Sequence, residues 1–157
     1  MTGTTTTRPQ RERRPLSLWI VTVALPLIAW AAAIAVQLAW LPALPDPVAI
    51  HWGAGDGPNG FAPAWASIAL TAGLGVGMTG LFAAFVGFGP GPVPNATHKL
   101  LAVMSLAVSI FVGSIVTASL GIQVGLDDAR DAPSIDGWMP VALAAGVAVA
   151  VVAWFAL

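Results

Sequence analysis

"LSLWIVTVALPLIAWAAAIAVQLAW", Leu16 to Trp40, runs for 25 residues without a charged side chain. As a helix rising about 1.5 Å per residue, it is long enough to cross roughly 30 Å of hydrocarbon. A basic stretch precedes it, as in a secretory signal. The apolar core of such a signal is only about 7–15 residues long, so this run reads as an uncleaved anchor. Three further apolar runs follow: Trp65 to Phe88, Leu100 to Val124 and Trp138 to Leu157. The expected fold is an all-α membrane protein of four transmembrane helices, with a structured loop between the first two.

Composition supports that reading. The 157 residues are 57% hydrophobic and 8% charged, against about 25% charged in soluble domains. The net charge of −1 provides no basic field for nucleic acid. There is no cysteine, which removes disulfides, thiolate metal sites and thiol nucleophiles. Arginine outnumbers lysine, with Ala, Gly and Val abundant, a pattern that fits a GC-rich bacterial genome.

Residues 1–15 form a Thr-rich basic segment with almost no apolar residues, expected to be a disordered cytoplasmic tail. Residues 16–157 form one membrane domain. Arg8, Arg11, Arg13 and Arg14 lie in the tail, and Lys99 lies in the turn after the second span. The other two loops carry Asp46, Asp56, Asp127, Asp128, Asp131 and Asp136 against Arg130 alone. The positive-inside bias places the tail and the Lys99 turn in the cytoplasm. Both termini are then inside a bacterial plasma membrane, and the loop after span one faces out.

Because lipid is as apolar as leucine, the spans must hold together by close approach at small residues. Ser105, Ser109, Gly113, Thr117, Gly121 and Gly125 recur at every fourth position of span three. Gly73, Gly77 and Gly80 of span two are the expected counterpart. Pro26 removes one helix hydrogen bond from span one, so a kink is expected there.

Few residues offer chemistry. No ionisable side chain falls within the expected spans. Gln37 and Gln123 are the most polar side chains there; each either bonds across helices or floors a pocket beneath the loop. His98, beside Lys99, is expected at a solvated or headgroup-facing position. His51, with Asp46 and Asp56 near it in sequence, is the only histidine of its loop. Catalytic zinc takes three protein ligands of good geometry, and a general base needs a partner nucleophile. A structural role for His51 is therefore favoured, with no cofactor, no metal and no enzyme activity expected. Pro45 and Pro47 stiffen the start of the loop, and Gly53 to Phe61 turn the chain back.

Leu44, Pro45 and Asp46, followed by His51 and Trp52 and then Pro58, Asn59, Gly60 and Phe61, resemble a bacterial membrane domain of unknown function. Its hallmark is an L-P-D…H-[FW] loop, and it also forms the N-terminal part of SdpI-type immunity proteins. Gly53, Asp56 and Asn59 depart from the usual residues of that hallmark. The resemblance implies that Pro45, Asp46, His51, Trp52, Asn59 and Gly60 are the motif residues. It also implies a plasma-membrane protein that recognises a toxin-like or envelope peptide. Two other readings stand beside it: an accessory subunit of a larger membrane complex, and a His-dependent membrane enzyme.

Overall fold

The computed structural model describes residues 15–53, 57–89 and 95–157. Four helices are long and apolar enough to cross a membrane: α1 (Leu16–Ala43), α2 (Ala64–Phe88), α3 (Ala96–Gly121) and α4 (Trp138–Ala156). Residues 1–14 of the expected tail (1–15) lie outside the described residues. Between α1 and α2 the chain forms an antiparallel hairpin of β1 (Val48–Trp52) and β2 (Pro58–Ala62). The fold is therefore helical with a β-hairpin at one end, and not wholly α as the sequence implied.

Helix α3 packs against each of the other three spans, and α4 packs chiefly on α3. Two apolar clusters mark the ends of the bundle. One gathers Val48, Ala64, Ile68 and Leu120 beneath the hairpin. The other, at the opposite end, gathers Leu18, Val21, Val86, Val103, Leu106 and Ala153.

Helix α1 is not uniform. A π-helical turn occupies Ile20–Ala24, just ahead of Pro26. Proline has no N–H to give the Thr22 carbonyl four residues back. That carbonyl instead accepts from the Ser105 hydroxyl of α3 at 2.8 Å, in a buried contact. A neighbouring helix thus satisfies the group that proline frees, as apolar surroundings require. Ser105→Ala is expected to cost about 1–2 kcal/mol through the orphaned carbonyl. In a Pro26→Ala background, where residue 26 can donate again, the cost should largely vanish. Thermal unfolding of the four variants in detergent tests this; equal losses in both backgrounds would refute it.

Helix α3 starts four residues before the expected Leu100. The Asn95 side-chain oxygen accepts the His98 backbone N–H at 3.0 Å, capping the first turn. His98 and Lys99 are thereby drawn into the span, which corrects the expectation that the spans hold no ionisable group. His98 is also not solvated: it is 1% exposed, and its ring nitrogens have no hydrogen-bond partner among the described residues. Lys99 reaches outward to lie 4.7 Å from the centroid of the Trp154 ring, a cation–π contact. At its other end α3 stops at Gly121, short of Val124, and residues 122–125 form turns.

The small residues of α3 are used, though with a different partner set. Ser105 and Ser109 are buried, and Gly113 and Gly121 lie beneath the rings of Trp30 and Trp40. Gly73, Gly77 and Gly80 of α2 face open space, so they are not the counterpart. Gly75 is: a Cβ there would stand 2.7 Å from Cγ of Trp30. Trp30 of α1, 2% exposed, thus fills the junction between Gly75 and Gly113. Helix α4 approaches α3 at Gly146, where a Cβ would meet the Ala107 carbonyl at 3.0 Å.

Candidate functional site

The hairpin is fixed to the bundle by long-range hydrogen bonds. Gln123, just past the end of α3, is 0% exposed. Its side-chain oxygen accepts the Ala49 N–H at 2.7 Å, and its amide nitrogen donates to the Ala49 carbonyl at 2.9 Å. The same nitrogen also donates to the Ser119 carbonyl at 2.6 Å. One side chain therefore pairs with β1 as a neighbouring strand would. Gln123 is a latch here, while Gln37 bonds across helices to the Thr117 hydroxyl at 3.1 Å. Neither residue is among those lining the cleft described below.

Three further contacts tie the ends of the loop down. The Gly125 N–H donates to the Ala43 carbonyl at 2.8 Å. Gly125 holds φ +81, a left-handed conformation that glycine adopts without Cβ strain. The Asp46 carboxylate accepts the Ala64 N–H at 3.2 Å, occupying one of the unpaired donors at the start of α2. The Trp52 indole donates to the Pro133 carbonyl at 3.1 Å, joining the hairpin to the loop between α3 and α4. Ala49, Ala129 and Ala132 pack beneath that contact, with Trp52 and Leu126 at the margin.

Within the hairpin the register shifts twice: between Ala49 and His51, and between His51 and Trp52. Ile50 on β1 and Asn59 on β2 have no opposite number, so each strand carries a bulge. The His51 Nδ1 meets the bulged Asn59 side-chain oxygen at 2.5 Å. A carboxamide oxygen only accepts, so Nδ1 is the donor in this contact, on an exposed ring. Gly60 pairs with His51 so closely that a Cβ would come within 2.9 Å of the histidine Cβ. A Cβ on Gly53 would collide with the Asn59 amide. His51, Gly53, Asn59 and Gly60 thus interlock, while Pro45, Asp46 and Trp52 act at the base and flank of the same unit. The Asp46–Pro47 peptide is cis.

A cleft of about 340 Å³ opens between the hairpin and the loop after α3. Pro45, Asp46, Pro47 and Phe61 form one wall, and Asp127, Asp128, Ala129 and Arg130 form the other. Arg130 pairs with Asp128 at 3.2 Å and lies 5.7 Å from the centroid of the Phe61 ring. The Arg130 backbone N–H, followed by its guanidinium, holds the Asp128 carboxyl below the usual carboxylate range. The sequence shows Phe61 as part of the loop hallmark and Asp127 as one charge of an acidic loop, a solvated segment or one that attracts a cationic ligand, but not that the two line one cleft or that Ala49 is latched. Their roles depend on contacts across more than sixty positions, which no local pattern encodes. His51 and Asp46 do not converge on a shared ligand, and no three His, Cys, Asp or Glu residues cluster as a metal site among the described residues.

No protein-family model, curated protein or solved structure matches the chain.

Proposed function

We propose that this chain is a recognition protein of a bacterial plasma membrane, without catalytic chemistry. It crosses four times, with both termini in the cytoplasm and the hairpin end outside. The orientation follows from the Lys/Arg bias: Arg8, Arg11, Arg13, Arg14 and Lys99 fall on one side, and the Asp-rich loops on the other. The proposed ligand is a toxin-like or envelope peptide, or a partner protein, met at the outer face as in immunity or sensing. The resemblance to the domain that begins SdpI-type immunity proteins points the same way.

One observation carries this reading. The hairpin is latched by buried hydrogen bonds while its face keeps an open, charged cleft. A latched scaffold presenting a concave polar surface is built for contact, since preorganisation lowers the entropy lost on binding.

A second reading, an accessory subunit of a larger membrane complex, is favoured by a different feature. A cavity of about 490 Å³ between α1, α3 and α4 is lined by Trp40, Ser114, Thr117, Gly121, Trp138 and Ala142, among others. Small residues along spanning helices are the surfaces on which helices associate.

Placing a benzoylphenylalanine at Phe61, which is 37% exposed, and irradiating native cells separates the readings. Crosslinking to a secreted peptide or an envelope protein is the expected result. Products confined to the chain itself would defeat the recognition reading. Stoichiometric capture of one integral membrane protein from positions in the α1–α3–α4 cavity, with none from Phe61, would support the accessory role.

A further inference from the structure

The two edges of the hairpin differ. On β1, Ala49 turns its N–H and C=O away from β2, and Gln123 takes both. That edge is closed. Across the ladder Ala49 faces Phe61. In an antiparallel pair, two facing residues either both bond inward to each other or both point outward. Since Ala49 points outward, so does Phe61, and its N–H and C=O lie on the far edge of β2. Among the described residues, none outside the hairpin bonds to them. An open strand edge is a template on which an extended chain adds by main-chain pairing.

The charge beside that edge is defined. The Phe61 side chain forms part of the cleft wall, facing three carboxylates and one guanidinium. Arg130 is engaged by Asp128. Asp46 uses one oxygen on the Ala64 N–H, and Asp127 makes no hydrogen bond or ion pair among the described residues. The cleft therefore keeps an excess of negative charge, set by Asp46 and Asp127. Alternate side chains of an added strand would project to the cleft side.

We infer that the β2 edge takes an extended, basic peptide segment as a third strand. The Phe61 N–H and C=O pair with its backbone, and a Lys or Arg side chain reaches Asp46 and Asp127 in the cleft. This rests on the reading of the hairpin end as a recognition surface, and it names the ligand: a cationic polypeptide bound by strand addition.

The test uses the full chain in nanodiscs of uncharged lipid, with three synthetic peptides of about eight residues each. One alternates Lys and Val, the second alternates Glu and Val, and the third is the Lys peptide with its alternate amides N-methylated. Amide hydrogen exchange and fluorescence anisotropy are the readouts. The Lys peptide is expected to bind and to slow exchange at the Phe61 amide. The Glu and N-methylated peptides should each bind roughly tenfold more weakly or worse. Asp127→Asn should weaken the Lys peptide several-fold while the Ala49 amide stays protected, showing that the hairpin is intact.

An unprotected Phe61 amide, or equal binding of the N-methylated peptide, would overturn strand addition. Equal binding of the Glu peptide would overturn the assignment of charge. Protection of Phe61 without peptide, rising with protein concentration, would mean that a second copy occupies the edge, and would also overturn it. If Phe61 crosslinks an envelope peptide in cells while the synthetic peptides fail, only strand addition falls. If the Lys peptide binds but nothing is captured in cells, the recognition reading falls.

Discussion

Gln123→Leu is expected to lower the stability of the bundle by roughly 2–6 kcal/mol, because it strands two buried backbone groups at about 1–3 kcal/mol each. Ala49 is fully buried, and Gln123 satisfies both its N–H and its C=O. Leucine keeps the approximate size of the side chain but supplies neither partner. The damage should be local first. Exchange at the Ala49 amide should rise far more than exchange at Leu106, in the apolar cluster of the opposite end. Thermal unfolding in detergent and amide exchange together make the check. An unchanged midpoint with Ala49 still protected would mean that water or another group replaces Gln123, and the latch would be a minor contact.

The second large effect lies at the mid-bundle junction. Trp30→Ala is expected to cost about 3–5 kcal/mol, in the range for removing a buried aromatic side chain. Trp30 is 2% exposed and stands between Gly75 and Gly113. Gly75→Ala alone should cost about 1–3 kcal/mol by overpacking, since its Cβ would lie 2.7 Å from Cγ of Trp30. Gly113→Ala should be milder, because its Cβ would meet the same ring at an ordinary 3.8 Å. In the Trp30→Ala background Gly75→Ala should cost almost nothing, as the atom it strikes is gone. A double-mutant cycle reads that coupling directly. Additive losses would show that Gly75 is sensitive for a reason other than the tryptophan.

Some of this architecture is legible in the chain and some is not. Long apolar runs separated by Pro/Gly-rich segments locate the four helices, because length and hydropathy alone decide whether a helix crosses hydrocarbon. Helix ends are harder. His98 and Lys99 look like loop residues until the Asn95 cap is seen to draw them into the first turn. The choice of Gly75 over Gly73 and Gly77 is hidden as well. In a helix rich in Ala and Gly every face looks small, and only the position of Trp30 on the partner decides which face is used.

The hairpin is the least legible element. Its strands are short, each carries one bulge, and β2 holds a Pro and a Gly, so the two-residue alternation that marks a strand is broken. The loop motif is visible as composition, and His51, Asn59 and Gly60 do come together. What they support is not visible, because the latch is the backbone of one residue held by a side chain 74 positions away.

That separation also has a consequence for how the protein is made. Gln123 and Pro133 do not exist when the hairpin leaves the ribosome. At about 5–20 residues per second, the 74 positions between Ala49 and Gln123 take roughly 4–15 s to synthesise. During that interval β1 has no partner for the outward groups of Ala49, and the first two spans enter the membrane beneath an unlatched hairpin. Folding of this end is therefore ordered by translation: insertion of the third span comes first, and closure of the hairpin onto it follows.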